Sequence, residues 1–472
     1  MNTPAWSRSQ WVALLSLSFA VFMVSLDVTV VVVSLPKIQT DLGLSLAQLQ
    51  WVVTSYSLVF AGLLLSAGVL ADRFGRRRTF FLGLALFALS SGAAGLANTA
   101  WVLNAARAVQ GLGAAFLLSS AGALLAQIFP GPDRTRAFGV WGTVIGIGLA
   151  FGPLIGGFIT RHVGWHWIFL INLPVAVAIF AGVQKTVSAI FTVHKRPLDW
   201  IGMTSFTAGL FGIIYALSTL HPGAHAETGT EYAAAGGILL LVIFFASQRW
   251  QREPMIDLAL LRNKAFVGIT LMPILLSISY WSLLVFLPQY FELSRGLDAL
   301  GSGIALLPLT LPMLMLPPFG AKLAHRLPRH VHFSLSFALV GLGAIVMYAG
   351  LHAHGALLIA GMLLTGTGSG LINAQMTNVA VSVVPHERSG MATGISGTMR
   401  QAGFVFAIAL HTLLIEQVSI PGQAMSSEVF NAGLGRILMT AMAASAAAVL
   451  IALAWLRYDA VPASAETLVP LD

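Results

Sequence analysis

Asp27 is an acidic residue deep inside an apolar stretch of the sequence, FAVFMVSLDVTVVVVSL. The chain has 17 acidic residues, and the others lie in polar stretches or near the end of an apolar one. An ionised carboxylate in lipid costs at least ~2.5 kcal/mol, and its protonated form avoids most of this cost. Asp27 could therefore load and release a proton as its surroundings alternate between wet and dry.

Arg107 is a cation inside another apolar stretch, LNAARAVQGLGAA from Leu103 to Ala115. Counted from the ends of their stretches, Asp27 and Arg107 lie at similar depths, about 10 Å and about 6 to 9 Å at the rise of a helix. Two interpretations stay open. Asp27 could be a proton-coupling carboxylate that Arg107 modulates, or the two could form a static ion pair that holds two segments together.

His411 and Arg400 are further ionisable residues in an apolar stretch. His411 is a second candidate for proton coupling, although a lone histidine in a membrane more often satisfies a local hydrogen bond. Arg400 opens its predicted span near the membrane surface. Its side chain is therefore expected to extend to the interface as an anchor, rather than to bind a ligand.

Aromatic and amide side chains in the apolar stretches could line a greasy, sparsely polar pocket. Such a lining suits amphiphilic compounds that bind through contact area and aromatic packing. Each aromatic residue could equally serve packing or an interfacial belt. The candidate substrate-binding residues are Trp51, Tyr56, Gln110, Trp141, Tyr280, Trp281, Asn373, Gln375 and Asn378, with Met376 beside them.

The elements that must position these side chains are transmembrane helices. Only 9% of the residues are charged and 57% are apolar, whereas soluble domains are roughly 25% charged. A spanning helix needs about 20 apolar residues, and this length predicts 14 spans. The predicted spans are 12–34, 49–70, 79–98, 103–125, 137–159, 167–186, 199–219, 232–248, 266–290, 300–321, 332–351, 355–381, 394–415 and 435–456.

The basic residues predict the orientation of these spans. With a cytoplasmic N-terminus, most of the 25 Lys and Arg residues fall in loops on the inner side, as the positive-inside rule requires. Both termini are therefore expected in the cytoplasm. The loops are too short for a soluble domain, and the absence of cysteine excludes disulfides and cysteine-ligated metals. A soluble enzyme and a nucleic-acid binder are poor fits.

Two glycine-containing motifs could govern movement between helices. The loop GVLADRFGRRR joins the second and third spans, with Gly68 and Gly75 allowing a tight turn, Asp72 near a helix end, and Arg73 and Arg76 among its cations. It could be a gating element or only an anchor of topology. In the fifth span, three glycines that are four residues apart form a stripe along one side of the helix, and a proline is expected to bend the helix there. The stripe could be a gate or a packing groove. Its residues are Gly148, Gly152, Pro153 and Gly156.

The stretch GVLADRFGRRR, the stretch LNAARAVQGLGAA and the glycine stripe of the fifth span follow one another in this order. Together they resemble motifs of the major facilitator superfamily. LDVTVVVVSLP, LQWVVTSYSL, WHWIFLINLPV and MRQAGFVFAIAL resemble its branch of fourteen-span drug/proton antiporters. The resemblance implies an all-α fold of two six-helix bundles with two inserted helices. It assigns residues 1–190 to the first bundle, 191–262 to a linker with the inserted helices, 263–460 to the second bundle, and 461–472 to a cytoplasmic tail. His166 and His325 stand where the family often has arginine and aspartate.

The resemblance implies a proton-coupled antiporter that exports hydrophobic or amphiphilic compounds by alternating access, in a bacterial cytoplasmic membrane. Its expected partners are the substrate, protons, lipid and accessory export proteins. No cofactor, metal or nucleic acid is expected, and the proton gradient would drive transport. A carrier of another solute, either a metabolite exporter or an importer, is the alternative. An enzyme is disfavoured because no catalytic cluster is evident, and no phosphate-binding GxxxxGK[ST] loop supports ATP drive.

Overall fold

The computed structural model describes residues 6–129, 132–187, 199–219, 228–251, 254–352, 355–384, 389–418 and 425–457. Over these ranges every regular element is helical. The helices of the first half are α1 (Arg8–Leu42), α2 (Leu46–Phe74), α3 (Arg76–Gly95), α4 (Ala100–Ile128), α5 (Pro132–His162), α6 (His166–Leu170) and α7 (Asn172–Thr186). Two further helices, α8 (Trp200–Thr219) and α9 (Thr228–Ser247), precede a short 3₁₀ helix at Leu258–Arg262.

The remaining helices form the second half of the chain. They are α10 (Lys264–Leu276), a π-helix (Ser277–Trp281), α11 (Leu283–Arg295), α12 (Ala299–Ala305), α13 (Leu307–Met315), α14 (Pro317–Arg326), α15 (Arg329–His352), α16 (Gly355–Ser382), α17 (Ser389–Glu416) and α18 (Ser427–Trp455).

Eleven of the described helical segments are long and apolar enough to cross a membrane. The number rises to at most 13 if each of two bent pairs, Ala137–Gly148 with Ala150–His162 and Leu307–Met315 with Pro317–Arg326, is one span. Each predicted span overlaps a helix or a series of helices. The number 14, the cytoplasmic termini and the domain boundaries stay predictions.

Prolines and a π-helix break two segments that the sequence predicted as single helices. The segment from Lys264 to Arg295 contains the π-helix, and the next is divided at Leu306 and Leu316. Pro308 and Pro317 lie in the first turns of α13 and α14, where a missing N–H costs nothing. Proline within a helix forces a bend, which explains why the predicted span 300–321 is three short helices.

Packing between helices is densest within each half of the chain. In the first half, α1 packs against α5, and both α2 and α3 pack against α4. In the second half, α15 packs against α16 and α18. α8 and α9 pack against each other, and α8 also contacts α2 and α17. Contacts of α2 with α17, α5 with α12 and α13, and α1 with α11 join the halves. Asp27 therefore lies on a helix that touches both halves.

Candidate functional site

Asp27 and Arg107 form a buried ion pair between α1 and α4. Arg107 Nη1 lies 2.5 Å from Asp27 Oδ2, and the two residues are 2% and 1% exposed. α1 places Asp27 near its midpoint, with valines following it along the helix. The predicted proximity is confirmed in geometry. The role of the pair, proton coupling or a static link, is a separate question.

Gln110 completes this cluster from the next turn of α4. Its Oε1 accepts a hydrogen bond from Arg107 Nη1 at 2.7 Å, and its Nε2 donates to Asp27 Oδ1 at 2.9 Å. Both carboxylate oxygens of Asp27 thus accept a hydrogen bond, one from a cation and one from an amide. Arg107 Nε also donates to the backbone oxygen of Val52 in α2, at 3.0 Å. The cluster therefore connects three helices.

Ser91 and Asn172 extend the cluster to α3 and α7. Gln110 Nε2 donates to Ser91 Oγ at 3.2 Å, Asn172 Nδ2 donates to the same oxygen at 2.9 Å, and Ser91 Oγ donates to the backbone oxygen of Phe169 at 2.9 Å. Sequence reasoning missed both residues, because a serine or asparagine in an apolar stretch gives no signal until its neighbours are known. A change in charge at Asp27 of α1 is thereby linked to α2, α3, α4, α6 and α7.

Tyr56 forms one face of the arginine site. The Arg107 guanidinium carbon lies 4.2 Å from the centre of the Tyr56 ring, a distance suited to a cation–π interaction. The Tyr56 hydroxyl is buried and has no hydrogen-bond partner in the described part of the chain. Gly111 allows this contact, because a Cβ atom there would collide with the Tyr56 backbone oxygen. The glycine of this motif therefore lets α2 approach α4 closely.

The glycine stripe of α5 packs against the helix that carries Asp27. A Cβ atom on Gly148 would lie 3.1 Å from the Phe22 ring, and one on Gly156 would lie 2.6 Å from the Val30 backbone oxygen. On another side of α5, a Cβ atom on Gly303 of α12 would lie 2.5 Å from the Pro153 oxygen. The glycine stripe thus packs closely against α1, and Pro153 packs against α12 of the second half.

An ion pair joins the two halves near the end of α5. Arg161 Nη1 lies 2.6 Å from Asp298 Oδ2, and both side chains are about half exposed. In the same region a Cβ atom on Gly157 would collide with the backbone oxygen of Ala299. At the other end of α5, Cβ atoms on Gly139 and Gly142 would meet nothing within 4 Å. The two halves are therefore in contact at the end of α5 that carries Arg161.

Comparison with known proteins decides the family. The sequence model described as the Major Facilitator Superfamily matches residues 17–408. The chain belongs to the Major Facilitator Superfamily. It is therefore a multi-pass membrane carrier and not an enzyme, and its bacterial relatives indicate the cytoplasmic membrane. The fourteen-span antiporter branch stays a prediction.

Three relatives show the range of transporters that are similar to this one. The chain is 31% identical over 405 residues to the multidrug resistance protein Stp of Mycobacterium tuberculosis, covering 86% of this chain and 75% of that protein. It is 34% identical over 402 residues to the cephamycin export protein CmcT of Amycolatopsis lactamdurans, covering 82% of each. It is 26% identical over 418 residues to the riboflavin transporter RibZ of Clostridioides difficile, covering 87% and 89%.

A solved structure supports the major facilitator fold independently. The crystal structure of the peptide transporter POT in complex with sulfate matches with a TM-score of 0.70 and covers 94% of this chain and 95% of that one. The two sequences are 18% identical, so this likeness shows the fold alone.

The loop motif of this major facilitator protein forms a tight turn with exposed cations. Gly75 has a φ of 97° and ends α2, a conformation that glycine adopts without strain. Arg76 Nη1 donates to the Ala123 oxygen of α4 at 3.3 Å, and Arg73 is exposed. A Cβ atom on Gly68 would meet nothing within 4 Å. The side chain of Asp72 lies outside the described residues, so its predicted gating role has no structural account.

The predicted substrate-binding aromatics have different surroundings. Trp51 packs against Phe211 and Tyr215 of α8, with ring centres 6.1 and 6.3 Å apart, which favours a packing role. Tyr280 is buried and donates to the Leu309 oxygen at 3.3 Å. Trp281 packs edge-on against Tyr280 at 5.4 Å.

Trp141 and the amides of α16 retain unused hydrogen-bonding groups. Trp141 Nε1 and Asn373 Oδ1 are buried without a hydrogen-bond partner among the described residues. Asn378 Nδ2 donates to Gln375 Oε1 at 3.4 Å. Gln110, in contrast, is bonded within the ion-pair cluster, which favours a role in that cluster over direct contact with substrate. Substrate binding by any of these residues stays a prediction.

His411 lies between α17 and α18. Its Nε2 shares a hydrogen bond of 2.8 Å with Thr440 Oγ1, and its ring packs edge-on against Phe286 at 5.9 Å. This local bond favours the structural interpretation. Its Nδ1 is buried without a partner in the described part of the chain. Among the described residues, no group of three or more His, Cys, Asp or Glu could hold a metal ion.

Proposed function

We propose that the chain is a proton-coupled antiporter that exports hydrophobic or amphiphilic compounds by alternating access. The observation that carries the proposal is the buried pair of Asp27 and Arg107, whose ions are shielded from solvent and bonded across α1 and α4. In the described part of the chain, Asp27 is an acidic residue at the midpoint of a long apolar helix. It is therefore the group best placed to carry the proton.

Protonation of Asp27 would change the forces between helices. The ionised carboxylate accepts hydrogen bonds from Arg107 and Gln110. A neutral carboxyl group loses its Coulomb attraction to Arg107, which is strong where the dielectric constant is low. The link between α1 and α4 then weakens, while Arg107 keeps its bond to the Val52 oxygen and its contact with Tyr56. Proton loading thus favours a rearrangement of α1 against its neighbours.

The packing of α5 supports alternating access as the transport mode. The helix contacts α1 through Gly148 and Gly156, and contacts α12 around Pro153. Movement of α1 would therefore pass through α5 to the contact between the two halves. The exposed ion pair of Arg161 and Asp298 stabilises the contact between the two halves only slightly. The free energy of binding one proton can therefore be enough to shift the equilibrium between the closed and open states at this end of α5.

The proton gradient is the proposed energy source, without a cofactor. A difference of one pH unit supplies ~1.4 kcal/mol per proton, which corresponds to about a tenfold gradient of substrate. The relatives named as multidrug resistance and cephamycin export proteins support an exporter. Association with accessory export proteins and the fourteen-span count are also proposals. A carrier for another solute, such as a metabolite, is the second candidate, and the relative named as a riboflavin transporter favours it.

The test of coupling is Asp27→Asn in everted membrane vesicles. The vesicle interior is acidified, and release of protons is measured as rhodamine 6G, ethidium or 5-carboxyfluorescein is added. Wild type is expected to release protons with at least one probe, and Asp27→Asn is expected to lose this response at unchanged expression. Asp41→Asn, at the partly exposed end of α1, is the matched control. Undiminished proton-driven transport by Asp27→Asn would refute the coupling role.

A further inference from the structure

Arg400 lies near the middle of α17, whereas the sequence predicted that it opens its span near the membrane surface. The helix runs from Ser389 to Glu416, so its ends are roughly 16 and 24 Å from Arg400 at 1.5 Å per residue. The predicted span began at residue 394, five positions after the helix begins. The interfacial anchor stays a prediction, and the surroundings of Arg400 support a second interpretation.

The surface of α17 around Arg400 faces other helices. Ser396 and Phe404, one turn away on either side, are 2% and 5% exposed. A Cβ atom on Gly397 would lie 3.2 Å from Leu64 of α2, and one on Gly403 would lie 2.7 Å from the Cα atom of Ile274 of α10. Arg400 is itself partly exposed on this otherwise buried surface. Its side chain therefore lies on the surface of α17 whose neighbouring glycines contact α2, of the first half, and α10, of the second.

Arg400 has no partner for its charge in the described part of the chain. Its Nε is buried without a hydrogen bond, and none of the ion pairs among described residues includes it. Arg107, by contrast, is matched by Asp27. The formal charges of Asp27 and Arg107 cancel, whereas the positive charge of Arg400 is unmatched among the described residues. An unpaired cation in a low-dielectric site is costly unless an anion joins it.

The π-helix beside Arg400 supports a binding role for this surface of α17. Ser277 Oγ donates to the Arg400 backbone oxygen at 3.0 Å, which fixes the π-helix against α17. The same π-helix carries Tyr280 and Trp281. A π-helix is a costly irregularity that occurs frequently at functional sites. Here it brings two large aromatic residues into the segment that contacts the arginine.

We propose that Arg400 is the anion-binding group of the substrate site, and that the transported amphiphile carries a carboxylate or a similar acidic group. The guanidinium offers a planar pair of donors that suits a carboxylate. The apolar body of the compound would pack on neighbouring apolar and aromatic surface. This inference rests on the proposed export function, and it narrows the substrate class to aromatic or aliphatic acids.

The experiment compares an acid with its uncharged ester on the purified full-length protein in detergent. The probes are dansylglycine and dansylglycine methyl ester, whose fluorescence rises on binding, and 5-carboxyfluorescein serves as a second anion. Wild type is expected to bind both anions, and dansylglycine more tightly than its ester. Arg400→Gln is expected to weaken binding of the anions by about ten- to hundredfold, the range for a lost charge-assisted pair. Binding of the ester should change little.

Two further variants distinguish binding from structure. Arg400→Lys keeps the charge but not the paired donors, so it should retain part of the affinity for anions. Arg436→Gln removes an arginine that lies on α18 and is bonded to Gln417, and it should bind both probes as wild type does. Equal loss of acid and ester in Arg400→Gln, unchanged acid binding, or failure of wild type to bind either anion would overturn the inference. Proton-driven transport of rhodamine 6G alone would leave the proposed antiport standing and reject only the acid-binding site.

Discussion

Gly152 of α5 packs directly against Thr29 of α1, two residues along the helix from Asp27. A Cβ atom on Gly152 would overlap the Thr29 hydroxyl oxygen, which itself donates to the Gly148 oxygen of α5 at 3.4 Å. The helix that carries the buried carboxylate thus packs on the glycine stripe with no side chain of α5 between them at these positions. A shift of α1 at the level of Asp27 must therefore displace α5 or slide along it.

Gly152→Ala is expected to impair transport strongly. The added methyl group must push α1 and α5 apart, and overpacking of this kind costs about 1 to 3 kcal/mol. The matched control is Gly142→Ala, in the same helix, where a Cβ atom would meet nothing within 4 Å. Both variants are compared with wild type for vesicle transport and for melting temperature in detergent. Wild-type transport by Gly152→Ala would show that close packing of α1 on α5 is dispensable.

The sequence indicated that Asp27 and Arg107 could pair, but it did not indicate the network around them. Asp27 and Arg107 are rare charges in apolar stretches, so each needed a partner and the other was at a similar depth. Ser91 and Asn172 are polar residues of ordinary kinds, and their bonds depend on how α3 and α7 turn towards α4. The rotation of each helix about its axis depends on tertiary packing. The hydrophobic pattern of a single sequence does not reveal it.

Two candidate residues show what the sequence could not predict. Trp51 packs against Phe211 and Tyr215 of α8, and the sequence does not reveal where that helix packs. Arg400 was placed near the start of its span because residues 389–393 were assigned to a loop, whereas α17 begins at Ser389. The roles of both residues in transport stay predictions.

Loss of Arg107 alone should destabilise the protein more than loss of the whole pair. Arg107→Gln leaves Asp27 buried with Gln110 as its remaining bonded partner, and breaking a buried pair in this way typically costs about 3 to 5 kcal/mol. The double variant Asp27→Asn/Arg107→Gln removes both charges and should recover much of that loss. Melting temperatures of the two single variants and the double variant form the cycle. Simple additivity of the two changes would contradict a direct coupling between these residues.

The predicted orientation can be tested with single cysteines, since the natural chain contains none. Lys37 is about half exposed and is predicted to face the outside, while Arg78 is exposed and lies in the loop predicted to be cytoplasmic. Lys37→Cys should react with a membrane-impermeant maleimide on intact cells, and Arg78→Cys only after permeabilisation. The reverse pattern would invert the topology and, with it, the side on which Arg161 and Asp298 join the two halves.

Export of an acid in exchange for a proton should depend on the membrane potential. One monoanion leaving and one proton entering move two charges in the same direction, each worth about 2.3 kcal/mol per 100 mV. Exchange of a monovalent cation for one proton moves no net charge. Everted vesicles with a constant pH difference are given an interior-positive potential by valinomycin and an inward potassium gradient. Uptake of 5-carboxyfluorescein should accelerate, and uptake of rhodamine 6G, if it is carried, should not. If the potential did not change the rate of anion uptake, the charge of the anion would be compensated within the site. Arg400 and Asp27 would then not carry the anion and the proton as two separate charges.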